Sequence, residues 1–279
     1  MFNTYSASAT DGRPKPPVKW AGGKGQLIPQ FEPLFPKEGY DLYLEPFVGG
    51  GAVFFHLSPR KAMLFDSNDE LINFYLVVRD HPEELLEDLK KHKNTREYYY
   101  SVRALDPHHL SPIERASRLL YLNKTGYNGL WRVNSKGKHN VPFGRYKNPK
   151  IVDEENLHLV SRALKNAEIL CDDFSRVLDY AKPNAFVYLD PPYHPLSETA
   201  NFTGYTSDAF GEEDQRRLAE VFQKLDSIGC LVMLSNSDTP FIRELYDGYD
   251  MQVVHAKRAI NSRADRRGPI NELVIRNYT

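Results

Sequence analysis

Apolar residues in this chain come in short runs spaced by longer amphipathic stretches. The run 41–45 reads as a strand that enters the turn Pro46-Phe47-Val48-Gly49-Gly50-Gly51, and Ala52-Val53-Phe54-Phe55 then starts a helix. Ala62-Met63-Leu64-Phe65 predicts a second strand, ending at Asp66. Helical periodicity covers 83–93, 112–122 and 208–228, and strand runs recur at 167–171, 185–189 and 231–234, with two more candidates at 252–254 and 272–275. Strands alternating with helices predict an α/β fold with a doubly wound, mostly parallel sheet. The stretch 76–159 interrupts that alternation. It is expected to form an inserted, mostly helical lobe, leaving 15–75 and 160–279 to the sheet domain. Within the lobe, 127–146 is rich in Gly, Asn and Lys with β-formers between them, a pattern that fits a hairpin or long ordered loop.

Composition narrows the class. With 279 residues, 41% of them apolar, the chain can bury a substantial core. No apolar run approaches the roughly 18 residues of a membrane span. Residues 1–14 are polar and read as a loosely attached arm rather than a signal peptide. Two cysteines, Cys171 and Cys230, are too few for a disulfide framework or a zinc cluster; both are expected to be buried thiols in a reducing cytoplasm, and no metal is implied. The net charge of −1 gives no global sign of a polyanion partner, but the local distribution does. Between Asn123 and Lys150 stand Lys124, Arg132, Lys136, Lys138, Arg145, Lys147 and Lys150 with no Asp or Glu, interleaved with Tyr127, Trp131, Phe143 and Tyr146. Such a segment suits a surface that meets phosphates and bases together. A second basic group, Lys257, Arg258, Arg263, Arg266 and Arg267 against Asp265, follows near the C-terminus.

The most specific chemistry lies at Asp190-Pro191-Pro192-Tyr193, which closes the strand run Phe186-Val187-Tyr188-Leu189. The exocyclic amine of a nucleobase is a poor nucleophile because its lone pair is delocalised into the ring. The Asp190 carboxylate and the Pro191 carbonyl can each accept one amine hydrogen, favouring the pyramidal nitrogen that attacks a methyl group. Tyr193 offers a flat face to the base, and the prolines fix the corner. Upstream, the glycine turn carrying Glu45, Phe47 and Gly49 lets a ligand approach bare backbone, and lacks the lysine of a triphosphate loop. Glu45 suits a ligand ammonium and Asp66 a ribose diol. Lys19-Trp20-Ala21-Gly22-Gly23-Lys24 adds a second glycine turn, in which Lys24 can pair with a ligand carboxylate and Trp20 can pack on the ligand. Asp173, or its neighbour Asp172, with Phe174 suits an adenine. Together these residues describe S-adenosyl-L-methionine.

From 19 to 278 the chain resembles the Dam-type DNA adenine-N6 methyltransferases and the related GATC methylases of restriction systems. The resemblance is carried in order by Lys-Trp-Ala-Gly-Gly-Lys, Leu-Glu-Pro-Phe-Val-Gly-Gly-Gly, Phe-Asp-Ser-Asn-Asp-Glu-Leu, Thr125-Gly126-Tyr127-Asn128-Gly129-Leu130, Val141-Pro142-Phe143-Gly144-Arg145-Tyr146 and Asp-Pro-Pro-Tyr. It implies a Rossmann-like methyltransferase sheet, with 76–159 as a target-recognition lobe whose hairpin enters the DNA major groove. By the same resemblance Trp20, Lys24, Asp66, Asp173 and Phe174 hold the cofactor, and Asp190 sits between cofactor and target amine. Tyr127, Asn128, Leu130, Arg132 and Arg145 match recognition positions, Lys19 matches a lysine near the outer base pair, and Lys136 and Lys138 are expected on phosphates. Trp131 has no implied role. The expected substrate is adenine in double-stranded GATC, flipped out of the duplex, with no membrane and no obligatory protein partner. Neither cysteine follows a proline, as the nucleophile of a cytosine-C5 methylase would. A cytosine-N4 methylase and a catalytically silent DNA-binding protein are the alternative readings.

Overall fold

The structure, a computed structural model, describes residues 12–37, 39–196, 210–257 and 269–279. Most of the second basic group and the expected helix start at Asp208 lie outside these residues. The first element is the short helix α1 (Ile28–Phe31), followed by β1 (Leu42–Glu45), α2 (Ala52–Leu57), β2 (Ala62–Asp66), α3 (Asp69–Asp80), α4 (Pro82–Leu89), α5 (Arg96–Ala104) and α6 (Pro112–Thr125). Then come α7 (Glu154–Leu164), β3 (Ala167–Cys171), β4 (Ala185–Leu189), α8 (Glu212–Ile228), β5 (Leu231–Ser237), α9 (Pro240–Leu245), β6 (Asp250–Lys257) and β7 (Pro269–Arg276).

The strands form one seven-stranded sheet in the order β3-β2-β1-β4-β5-β7-β6. Pairing is parallel from β3 through β5, while β7 runs antiparallel between β5 and β6. This order fits the Rossmann-like sheet that the resemblance implies, ended by an antiparallel pair. Strand β4, Ala185-Phe186-Val187-Tyr188-Leu189, is buried at every position because helices cover both faces of the sheet. Phe186 and Tyr188 join one core with Tyr43, Leu64 and the apolar faces of α3, α4 and α6. Val187 and Leu189 join the other with Leu44, Met63 and Leu218, Phe222 and Leu225 of α8. The period of two along the strand thus divides the core into two layers.

Local signals place the elements beside the site. Asn68 accepts the Leu71 amide (3.0 Å) as the N-cap of α3, two residues after Asp66 ends β2. Ser111 and Glu114 close a capping box on α6, with Pro112 in its first turn. Helix α3 runs through 75–76, the expected boundary between sheet domain and lobe, and packs against both α6 and α7. A small third core of Tyr99, Val102, Tyr121 and Leu122 lies beneath the 127–146 segment. That segment forms two isolated antiparallel bridges, Gly126–Phe143 and Val133–His139, rather than continuous strands. Cys230 is buried as expected, but Cys171 is exposed: it ends the edge strand β3, where one side has no neighbouring strand to cover it.

Candidate active site

Three carboxylates stand at the C-terminal ends of neighbouring parallel strands: Glu45 on β1, Asp66 on β2, and Asp190 just beyond β4. From β1 the chain builds outward through β2 and β3, then returns to lay β4 on the opposite side. The crevice between β1 and β4 is therefore the topological switch point, where open α/β sheets bind ligands.

The loop after β4 is clamped from three elements. Gln215 of α8 donates to the Pro192 carbonyl (2.8 Å), Asn236 of β5 accepts the His194 amide (3.1 Å), and Ser237 donates to the His194 carbonyl (2.6 Å). Asn236 also donates to Gln215 (3.0 Å), so the clamp is itself cross-braced. Tyr193 donates its hydroxyl to Glu272 of β7 (2.7 Å). Lys24 reaches in from the glycine turn at Gly22-Gly23. Its ammonium lies 2.7 Å from Asp190 Oδ1, donates to the Gly22 carbonyl at 2.6 Å, and sits 4.7 Å from the centre of the Tyr193 ring. Lys24 is buried at 4% exposure, so its charge answers Asp190 with little solvent screening. The sequence suggested a ligand carboxylate as its partner; the structure pairs it with Asp190.

The pocket floor is strongly acidic. Burial pushes the Asp190 carboxyl above its ordinary range, Lys24 pulls it back, and the charge of Glu272 raises it again. Glu45, 2% exposed, is driven well upward by burial, against the Tyr43 hydroxyl bond (2.9 Å) that favours its charge; Asp190 and Asp66 add repulsion. Burial also raises Asp66, opposed by amide bonds from Asn68 (3.0 Å) and Gly49 (3.1 Å). Like charges held this close favour a cationic guest, which would relieve the repulsion.

Two aromatic groups flank the crevice. Trp20 lies against the glycine turn so closely that a Cβ on Gly49, at φ +47°, would come within 2.9 Å of the indole. Phe47 stacks on Phe174 (5.3 Å between centres) with Phe210 against both rings. Arg217 caps Phe174 at 4.4 Å and pairs with Asp173 at 3.0 Å. Asp173 accepts the Ser175 hydroxyl (2.6 Å) as well, while Asp172 is paired with Arg176 (3.5 Å).

The 127–146 segment presents Tyr127, Arg132, Lys136, Lys138 and Arg145 as exposed side chains, with Asn128 and Leu130 half-buried. Asn128 and Arg145 both take left-handed backbone (φ 57°). Arg132 donates through Nε to Asn140 Oδ1 (2.7 Å), which orients the guanidinium. Lys19 is joined to the segment through its main chain. Asn123, buried at the end of α6, accepts the Lys19 amide (2.9 Å) and donates to the carbonyls of Lys19 (2.8 Å) and Gly129 (2.9 Å). Gly129 is required there, since a Cβ would lie 2.5 Å from Lys19 Cδ. Lys19 Nζ is 5.9 Å from the Tyr146 ring centre.

Asn123, Gln215, Asn236 and Glu272 contribute to this arrangement without being given a role in the sequence reading, and Trp131, left without a role there, meets His139 (4.7 Å). Asn123 stands two residues before the Thr125–Leu130 motif, a usable signal. Gln215, Asn236 and Glu272 act across more than 20 residues of chain, which periodicity does not reveal.

A family model described as the D12 class N6 adenine-specific DNA methyltransferase matches residues 20–260. The chain is 46% identical over 272 residues to the Type II methyltransferase M1.LlaDCHI of Lactococcus lactis subsp. cremoris, covering 95% of each. It is 45% identical over 286 residues to the Type II methyltransferase M.MjaIII of Methanocaldococcus jannaschii (95% and 99% covered). It is 38% identical over 261 residues to the DNA adenine methylase of Escherichia coli strain K12 (92% and 93%).

Proposed function

Because the chain belongs to the D12 class of N6 adenine-specific DNA methyltransferases, we propose that it methylates adenine N6 within GATC in duplex DNA, using S-adenosyl-L-methionine and a flipped-out target base. The observation that carries this reading is the clamped Asp190-Pro191-Pro192-Tyr193 loop at the sheet's switch point, with the Asp190 carboxylate gripped by Lys24. The crevice fits S-adenosyl-L-methionine in charge. Glu45, Asp66, Asp190 and Glu272 outnumber Lys24, and the buried carboxylates are raised partly by one another. A sulfonium or ammonium group offsets that repulsion. Asp66 would hold the ribose, Glu45 would face the ammonium, and Trp20, Phe47, Gly49, Asp173 and Phe174 would wall the nucleoside. When bound, the cofactor supplies an electrophilic methyl group whose bonding pair leaves on sulfur.

The chain's own residues prepare the amine. Asp190 and the Pro191 carbonyl accept its two hydrogens, so the nitrogen's lone pair turns from the ring toward the methyl. Both bonds strengthen as positive charge develops on nitrogen, and so act on the transition state. Lys24 keeps Asp190 ionised despite burial, and Tyr193, anchored by Glu272, holds the base plane. Flipping the base costs a few kcal/mol, offset by phosphate contacts from Lys136 and Lys138 and base-edge contacts from Tyr127, Asn128, Leu130, Arg132 and Arg145, with Lys19 at the outer pair. Plasmid DNA treated with the protein and cofactor should become resistant to a GATC nuclease blocked by adenine methylation and sensitive to one that requires it. Unchanged sensitivity to both, with methyl groups found at cytosine N4 instead, overturns the assignment.

A further inference from the structure

Trp131 stands on the exposed segment 127–146, yet it packs against two separate cores. Its indole stacks on Trp20 (6.5 Å between centres, 17° between planes) and meets His139 on the same segment (4.7 Å). Trp20 lies on Gly49, and the Gly49 amide is held by Asp66. His139 is bridged to Val133, next to Arg132. A continuous line of contacts therefore runs from the crevice wall, Asp66–Gly49–Trp20, through Trp131 to His139 and the base of Arg132.

We infer that Trp131 is a positioning residue that couples cofactor occupancy of the crevice to the DNA-reading segment through the Trp20–Trp131–His139 stack. This rests on the cofactor reading above and extends it to regulation. Three features carry it. The stack joins the glycine turns to the outer part of the segment, where Arg132 and the lysines stand, through ring contacts. His139 is buried at 6% exposure and its ring meets the indole at 4.7 Å between centres, so the ring contact fixes its place on the segment. The indole is only half-buried, so truncating it removes this contact while leaving the Tyr99–Tyr121 core in place. A guest that fixes Trp20 against Gly49 fixes the platform on which Trp131 rests. Fewer conformations are then left for the reading segment to lose when DNA arrives, which is positive cooperativity without a change of fold.

Linkage makes this measurable, because the coupling must be reciprocal. The affinity of a short GATC duplex is measured by fluorescence anisotropy with and without saturating sinefungin, and sinefungin affinity is measured by calorimetry with and without duplex. For the native chain each ligand should tighten the other by about tenfold, within the usual range of coupling. Trp131→Ala should bind each ligand alone within about threefold of native while the coupling factor falls to near one. Trp131→Phe should restore most of it. Coupling retained in a folded Trp131→Ala overturns the inference and leaves the cofactor reading intact. Failure of the native chain to bind sinefungin at all overturns both. If Trp131→Ala does not fold, Trp131→Leu and Trp131→Phe are compared, and equal coupling in these two refutes an aromatic relay.

Discussion

Removing the Lys24 ammonium while keeping its stem, as in Lys24→Met, should move the acid limb of the pH–rate profile upward. The ion pair measures 2.7 Å, with side-chain exposures of 5% for Lys24 and 18% for Asp190. At that separation the gross attraction is about 6 kcal/mol for an effective dielectric of 20, and the desolvation of both ions offsets much of it. Breaking a buried pair by deleting one partner costs about 3–5 kcal/mol. The residual solvent access of Asp190 argues for the low end, about 3 kcal/mol. The sign is fixed by the environment. Burial already raises Asp190 and Lys24 opposes it, so deleting Lys24 leaves burial and Glu272 acting upward together. Transfer requires the ionised carboxylate, so activity in the variant should be lost at higher pH as acid is added and should recover toward native in alkaline buffer. The assay is single-turnover methylation at saturating cofactor and duplex across pH 5–9, with duplex affinity measured in parallel. An acid limb at the native position would refute the claim that Lys24 sustains the charge on Asp190.

Other perturbations separate chemistry, cofactor and DNA reading. Asp190→Ala should slow transfer by about 3 kcal/mol or more, as loss of one transition-state contact does, while leaving duplex affinity near native; near-normal turnover would remove Asp190 from the chemistry. Asp66→Ala should weaken cofactor binding roughly 10–100-fold through loss of a charged acceptor worth about 1.5–3 kcal/mol, and unchanged calorimetric affinity would make Asp66 only a support for the Gly49 and Asn68 amides. Arg132→Ala should cost about 1–3 kcal/mol at one guanine–cytosine pair, whereas Lys136→Ala should weaken all sequences alike and lower the salt slope by about one; equal losses on every single-base variant of GATC would place Arg132 on the backbone instead. His139 should make the fold acid-sensitive. Burial holds it at about 3 against an ordinary 6.5, so the unfolded chain binds the proton first and stability falls as pH drops below 6.5. By linkage the loss at pH 5 is about 2 kcal/mol, which denaturation of the native chain and His139→Phe at pH 5 and 8 would register; equal pH slopes would refute it.

Much of the sheet was legible in the sequence because β1, β2, β4 and β5 are buried on both faces, and such strands appear as short apolar runs. The antiparallel ending was not. The runs at 252–254 and 272–275 mark strands, but nothing local states that β7 inserts between β5 and β6. The carboxylates at strand ends could be read because each follows an apolar run directly. Their partners could not, since ion pairing is a long-range outcome: Lys24 meets Asp190 across the whole sheet domain. The hairpin expected from β-formers at 127–146 is realised only as two bridges, because Gly129, Gly137 and left-handed Asn128 and Arg145 break the extended backbone. Trp131 is intelligible only in three dimensions, where it touches Trp20 from more than 100 residues away.

If this site places a methyl group on adenine N6 in GATC, the label of a marked donor methyl must appear on that base. Incubating the protein with methyl-deuterated S-adenosyl-L-methionine and a short duplex bearing one GATC, then digesting to nucleosides for mass spectrometry, tests it directly. Deuterated N6-methyldeoxyadenosine is expected from the GATC duplex and none from a duplex in which that adenine is replaced. Label in N4-methyldeoxycytidine, or no label from a protein that still binds both ligands, would contradict it.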